Sequence, residues 1–453
     1  MNNAQAPSAT AAPEGKSVLI HPGRAQGVLR APPSKSYTHR AIVGALLGSR
    51  SSRIDSPLLS EDTRVSLHAA EALGATVKVA EKGETTSWTV DPPAHIAPRA
   101  VQIDCGESGT SLRLFAAAAA LGQSEVTFVG HPGLARRPIG GLLDALRSLG
   151  AVIQGPPPGR SLPFTIRGSI HPGMVAVDAT QSSQYVSALL LALATLPEAS
   201  VIQLQGKAVS TPYISATLAY LTQEGCEVEE HENRLLLPGG TLDTRDRFEV
   251  PGDASSAAYL LALGSITGGE VTVEGIPERW PQADLAILDI LSEAGTYLVR
   301  GPRDAVRVVG RPRPAGLGNF DRNLDDTPDL APLLAALAAF SKGESWLRGG
   351  AHLAAKESDR HRGVMDLAVH LGASVRETPE GISLRGPIGA SRLCLSALTD
   401  HRMFMSAAVA AVGLSEVSEL GPANAPDKSY PGFLHDLEHL GIHVERGHGP
   451  PSS

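Results

Sequence analysis

The chain has 453 residues, 42% hydrophobic and 19% charged, with 47 glycines, 34 prolines and a formal charge of −8. That length exceeds one ordinary core and implies two or three domains, and the apolar content is enough to exclude wholesale disorder. The acidic balance argues against a nucleic-acid partner, and the longest apolar runs, Val186–Leu196 and Leu330–Phe340, are too short for a membrane span.

Cys105, Cys226 and Cys394 lie far apart, as in a protein of a reducing compartment without a disulfide framework. Met1–Lys16 lacks the basic and apolar regions of a signal peptide, so it reads as a frayed tail, as does Pro450–Ser453. A cytoplasmic protein is expected, and with no visible signal for homo-oligomerisation, a monomer.

Along the chain one unit recurs six times: LHAAEALGATVKV, LLDALRSLGAVI, TLAYLTQEGCEV, ILDILSEAGTYLV, VMDLAVHLGASV and FLHDLEHLGIHV. Each is an amphipathic helix pattern that ends at a glycine (Gly74, Gly150, Gly225, Gly295, Gly372, Gly441), followed by a strand-like run. The glycine sits where a left-handed C-cap is wanted. Interleaved with these are six segments that are apolar nearly all round, opened by polar residues near Ser36, Ser111, Ser183, Ser255, Asp329 and Asp400. They predict buried helices. Six such units imply α/β architecture with pseudo-symmetry, in two compact three-unit domains. The natural boundary is near Pro251-Gly252, giving domains at 34–251 and 252–453.

Polar clusters mark the starts of the buried helices: Ser34-Lys35-Ser36, Glu107-Ser108-Gly109-Thr110, Ser182-Ser183-Gln184, Asp253-Ala254-Ser255-Ser256, Asp326-Thr327-Pro328-Asp329 and Asp400-His401-Arg402. Ser, Thr and Asp are ordinary N-caps, which is the plain reading of any one of them. Pseudo-symmetry brings these ends together in each domain, and converging helix N-termini make an anion site. Lys35, Arg40, Arg137, Lys356, Arg360, Arg402 and Lys428 add cations that caps do not need. Each alone reads as a surface charge. Together, in an acidic protein, they suggest a site for phosphates and carboxylates. Acid–base candidates are Asp62, Glu107, Asp329, Glu357 and His401.

Two features read as decoys. His435-Asp436-Leu437-Glu438-His439 spells H-x-x-E-H, yet it occupies the polar face of the sixth amphipathic helix, so no metal site is expected. Cys105 reads as a buried strand-end thiol rather than a nucleophile. The sequence holds no phosphate-binding P-loop, dinucleotide glycine motif or zinc spacing.

Motifs over Ser34 to Phe433 resemble the 5-enolpyruvylshikimate-3-phosphate synthase family. They are Pro33-Ser34-Lys35-Ser36 with Arg40, Gly109-Thr110 with Arg113, Arg137-Pro138, Ser182-Ser183-Gln184, and Ser210 with Tyr213. They continue with Asp329, Lys356-Glu357 with Asp359-Arg360, Asp400-His401-Arg402-Met403 and Lys428-Ser429-Tyr430-Pro431. The resemblance implies two domains of three βαβαββ units each, an inside-out α/β barrel type, with residues 1–33 packing onto the C-terminal domain. It also implies transfer of the enolpyruvyl group of phosphoenolpyruvate to the 5-hydroxyl of shikimate 3-phosphate, without metal or organic cofactor.

By that resemblance Ser36, Arg40, Ser182, Ser183, Gln184, Ser210, Tyr213, Asp329 and Lys356 hold shikimate 3-phosphate. Lys35, Gly109, Thr110, Arg137, Gln184, Arg360, Arg402 and Lys428 hold phosphoenolpyruvate. Asp329 is the base for the hydroxyl proton, and Lys356 and Glu357 are the candidates for proton delivery and removal at the methyl carbon. The chain departs from the family at Glu107 and His352, where asparagines are frequent, and at Leu114, a frequent proline beside the pocket of the inhibitor glyphosate. The rivals are UDP-N-acetylglucosamine enolpyruvyl transferase and a non-catalytic phosphate-binding protein of the same fold. The former's loop cysteine is missing, and the intact charged set speaks against the latter.

Overall fold

The computed structural model describes residues 16–82, 85–240, 242–311 and 316–447. Apart from Lys16, the expected frayed ends at Met1–Lys16 and Pro450–Ser453 lie outside the described residues.

The helices come in pairs, one pair per unit. In chain order these are α1 (Lys35–Leu47) and α2 (Glu61–Ala72), α3 (Gly109–Ala119) and α4 (Gly140–Ser148), α5 (Ser183–Leu193) and α6 (Thr211–Gln223). The second half holds α7 (Ala254–Thr267) and α8 (Ile287–Glu293), α9 (Ala331–Ala339) and α10 (Arg360–His370), α11 (His401–Val412) and α12 (Phe433–His439). The first of each pair is buried almost throughout. Every residue of α9 is buried, as its Ala/Leu composition on all faces requires. The second is amphipathic; α4 buries only Leu142, Leu143, Ala145 and Leu146. All six unit glycines take positive φ, from 80° at Gly372 to 112° at Gly150, so the repeat read in the sequence is a repeated left-handed helix cap.

Each unit owns a four-stranded sheet. In the second, Gln102–Asp104 runs parallel to Val126–Val129, which pairs antiparallel with Phe164–Arg167, which pairs in turn with Val152–Gln154. With α3 and α4 between the strands, the unit is βαβαββ.

The chain exchanges strands between its halves. Two strands precede α1: β1 (Val18–Ile20) and β2 (Gln26–Arg30). β2 runs parallel to Glu270–Glu274, and β1 lies between Ser418–Leu420 and Val444–Arg446. Conversely, Arg247–Glu249 returns to pair with Ser52–Asp55 in the first unit. The polypeptide therefore crosses between the halves twice, and the crossings are tied together. The Ser34 amide donates to the Pro251 carbonyl and the Asp253 amide to the Pro32 carbonyl, each at 2.7 Å. A Cβ on Gly252 would fall 2.0 Å from the Gly275 carbonyl oxygen, so glycine is required there.

Two hydrophobic cores result. One gathers residues from Tyr37 to Val250, the other Val18–Ala31 with Ala257–Val444. Among the described residues no helix is long and apolar enough to cross a membrane.

Candidate active site

The N-termini of all six buried helices open on one cavity between the cores. It is lined by Lys35 and Ser36 of α1, Thr110 of α3, Ser183 and Gln184 of α5, Ser255 and Ser256 of α7, Asp329 ahead of α9, and His401 and Arg402 of α11. Capping and site-building are both present, on adjacent residues. Ser108, Ser182, Asp253 and Asp400 accept first-turn amides, while Thr110, Ser183, Ser255 and His401, one or two positions on, face the cavity. Five cations (Lys35, Arg40, Arg137, Lys356, Arg402) face three carboxylates (Asp253, Asp329, Glu357) across it. Of these, Asp253 is occupied as a cap shared by both halves, accepting from Ser256 N at 2.7 Å and Lys35 N at 3.2 Å.

On the N-terminal side the guanidinium of Arg40 is buried. It donates to the Tyr213 carbonyl (2.7 Å), the Ser36 carbonyl (2.8 Å) and Thr217 Oγ1 (2.9 Å). Burial lowers its pKa to about 10, and no carboxylate pairs with it among the described residues. A buried cation without a counter-charge is a site for an incoming anion. Ser182, Ser183, Gln184 and Ser210 line the same side. Ser210 is held in the left-handed region at φ 54°, uncommon for a residue with a Cβ, and its amide donates to the Asp325 carbonyl across the cleft at 2.8 Å. Arg113 donates to Gln184 Oε1 at 2.7 Å while Gln184 Nε2 donates to Thr110 Oγ1 at 3.1 Å, so the amide's orientation is fixed from both ends.

Asp329 is the hub of the opposite side. It receives Arg360 Nη1 at 2.7 Å, Arg402 Nη2 at 3.0 Å and, across the cleft, the Tyr213 hydroxyl at 2.7 Å. Burial would raise its pKa, but Arg402, Arg360 and Lys356 outweigh it and hold the carboxyl well below the usual range. Burial lowers Lys356 to about 8, with Asp329 partly opposing. Glu357 is pushed up by burial and pulled down further by Arg360 (2.7 Å) and Arg137 (3.5 Å), so it is firmly ionised.

Fourteen of the seventeen sequence-predicted site residues line the cavity; Gly109, Arg360 and Lys428 do not. Arg360 was expected to grip the ligand. Instead it stands fully buried behind the wall, consumed by Asp400, Asp329 and Glu357. Gly109 backs Arg137: a Cβ there would lie 2.7 Å from Arg137 Cζ and from Arg113 Nη1. Lys428 is tied to Glu107 at 2.7 Å.

Four further residues carry the site. Asp62 pairs with Lys35 at 3.1 Å. His401 has both ring nitrogens unpartnered inside the cavity, and burial lowers its pKa to about 3, so it is neutral. His352 also offers an unpartnered Nε2. Asp284, raised by burial to about 7, bonds Ser255 and approaches Arg402 to 3.8 Å. The sequence singled out both Asp62 and His401 as acid–base candidates and placed His401 at the start of a buried helix, but nothing in it brought Asp62 to Lys35. Asp284 lies in the short turn before α8, outside every motif read in the sequence.

The sequence profile of the family described as EPSP synthase (3-phosphoshikimate 1-carboxyvinyltransferase) matches residues 20–437. The 3-phosphoshikimate 1-carboxyvinyltransferase of Thermococcus kodakarensis is 38% identical over 93% of this chain and 100% of that protein. Its counterpart from Methanocorpusculum labreanum is 35% identical over 94% and 98%. In fold the chain is similar to EPSP synthase from Acinetobacter baumannii, with a TM-score of 0.77 and 23% identity over 95% of this chain and 100% of that one. It is also similar to the enolpyruvyl transferase NikO from Streptomyces tendae, with a TM-score of 0.74 and 17% identity over 96% and 100%.

Proposed function

The chain belongs to the EPSP synthase (3-phosphoshikimate 1-carboxyvinyltransferase) family, and we propose that the cavity between its two cores carries the transfer with the roles below. The reaction moves the enolpyruvyl group of phosphoenolpyruvate onto the 5-hydroxyl of shikimate 3-phosphate and releases phosphate. The roles rest on one cavity in which two sets of cations flank an ionised carboxylate, Asp329, that contacts residues of both sides.

Shikimate 3-phosphate takes the N-terminal side, its phosphate meeting Arg40, Ser182, Ser183 and Ser210, with Ser36, Gln184 and Tyr213 around the ring and Asp329 and Lys356 beside its hydroxyls. Phosphoenolpyruvate takes Lys35, Thr110, Arg137, Gln184, Arg402 and Lys428, with Gly109 and Arg360 supporting from behind. Asp329 accepts the 5-hydroxyl proton as that oxygen adds to C2, and returns it to the departing phosphate. Ligand anions that draw Arg402 away from Asp329 raise its basicity at the moment it is needed. Lys356, with a pKa of about 8, protonates the methylene carbon in the addition and removes a proton from the resulting methyl group in the elimination. Glu357, the other candidate at that carbon, orients Lys356's neighbours Arg137 and Arg360. Fixed cations facing the developing charge supply much of the acceleration.

Residues 34–251 and 252–453 act as two domains, with the strands of 1–33 belonging to the second, an assignment supported by the two cores and the paired crossings. The enzyme works as a cytoplasmic monomer: one chain lines the cavity and its three cysteines stand free. Neither rival reading gains support, because the curated relatives carry the shikimate name. Mass analysis of the acceptor tests the substrate directly. A gain of one enolpyruvyl group on shikimate 3-phosphate supports the reading, and a gain on UDP-N-acetylglucosamine instead would refute it.

A further inference from the structure

The first and last strands of the described chain lie side by side. In this antiparallel pair Leu19 faces Glu445 and Ile20 faces Val444, and the His21 amide donates to the His443 carbonyl at 3.1 Å. Strand alternation then divides the side chains. Val18, Ile20 and Val444 point into the core, while His21, His443 and Glu445 share the outer face. The two imidazoles stand 4.4 Å apart between centroids. Glu445 Oε1 lies 2.8 Å from His21 Nε2 and 3.0 Å from His443 Nε2, so three ligand atoms on two strands converge on one point.

We propose that His21, His443 and Glu445 form a surface site for a borderline divalent transition-metal ion, with Zn2+ the natural probe, that clips the chain's first strand to its last. Two imidazole nitrogens and one carboxylate oxygen are the donor set of many three-ligand zinc sites, water completing the shell. The spacings suit this: ligands about 2.0–2.2 Å from a tetrahedral ion lie a little over 3 Å from each other. Among the described residues this is the one group of three or more such side chains with all ligand atoms within 4.8 Å. The H-x-x-E-H run on α12 does not converge in this way. His435 approaches Glu438 at 3.7 Å and His439 approaches Asp436 at 3.8 Å, separate partners, and Glu438 is already engaged by Arg446 at 3.0 Å. None of its three residues lines the cavity, so its effect is on stability. An ion that binds only the folded chain raises stability by mass action and restrains the end of the strand pair opposite the Ser17–Gly447 contact.

The test is calorimetric titration of chelator-treated protein with Zn2+ at neutral pH, alongside thermal unfolding with and without the ion. One Zn2+ per chain and a rise in the unfolding midpoint are expected. His21→Ala and His443→Ala should each weaken binding by at least the roughly 10–100-fold that outer-shell changes alone cost, and Glu445→Gln should weaken it too. His435→Asn/His439→Asn should bind normally. Turnover should be unchanged in all of these, which verifies folding. Absence of stoichiometric uptake would overturn the proposal. So would uptake that survives both His21→Ala and His443→Ala, or uptake lost only in the His435/His439 double variant.

Discussion

Lys428 Nζ stands 2.7 Å from Glu107 Oε2, an ion pair joining residues 321 positions apart across the cleft. Glu107 also meets His131 Nδ1 at 3.1 Å. An internal carboxylate thus holds a cation that the proposed chemistry assigns to the carboxylate or phosphate of phosphoenolpyruvate. The incoming anion must displace Glu107 before it can use Lys428. Glu107→Gln should therefore lower KM for phosphoenolpyruvate about two- to fivefold, the size of a half-exposed ion pair, with kcat nearly unchanged. Steady-state kinetics varying phosphoenolpyruvate at saturating shikimate 3-phosphate decides it; a raised KM would show instead that Glu107 helps hold the substrate.

Lys356 sets the alkaline limb. Burial places it near 8, so the protonated donor is lost as pH rises through that value. The logarithm of kcat/KM should fall with unit slope above about pH 8. Lys356→Arg, always protonated, should flatten the limb and cut turnover roughly 10²–10⁴-fold by removing the proton carrier. A limb that stays near pH 8 in the variant would assign it to another group.

Gly109 governs the approach of Arg137. Because a Cβ would come within 2.7 Å of Arg137 Cζ and Arg113 Nη1, Gly109→Ala must shift both guanidinium groups. KM for phosphoenolpyruvate should rise about tenfold or more, and KM for shikimate 3-phosphate, held through Arg40, should change little. Equal rises in both would contradict the division of the cavity into two subsites.

Stability should fall on mild acidification. His39 and His401 are buried and neutral, with pKa values lowered by burial from 6.5 to about 3. Below pH 6.5 the unfolded chain binds protons that the folded chain refuses, so stability is full above 6.5 and declines toward about 3. Each histidine costs on the order of 1–2 kcal/mol by pH 5. Urea midpoints of the substrate-free protein should be clearly lower at pH 5 than at pH 7, and His401→Gln should narrow the gap. Asp284, raised to about 7, works in the opposite direction in both proteins, so a gap left unchanged by His401→Gln would show that this ring is not held neutral.

What the sequence disclosed was what repeats. The six glycines after the amphipathic helices and the polar openings of α1, α3, α5, α7, α9 and α11 stand at nearly constant spacing, and each reflects a local rule of capping or burial. The motif residues of α5, Ser183 and Gln184, therefore fell where expected. Pairings between distant segments were not legible, because no period encodes them. Arg247–Glu249 returning to Ser52–Asp55, Tyr213 donating to Asp329 from 116 positions away, and Lys428 meeting Glu107 are facts of tertiary closure. Arg360 shows the same limit. Its place between Lys356-Glu357 and α10 marked it as a cation of the site, but only packing reveals that Asp400, Asp329 and Glu357 use all of it.

In the proposed mechanism one cavity binds two anions and Asp329 takes the acceptor's proton. Phosphate release measured with phosphoenolpyruvate plus shikimate 3-phosphate, and with each alone, tests it most directly in the wild type and in Asp329→Ala. Release is expected only with both substrates, and the variant should lose roughly 10²–10⁴-fold or more with its thermal unfolding profile retained. Release from phosphoenolpyruvate alone, or near-normal turnover by folded Asp329→Ala, would contradict it.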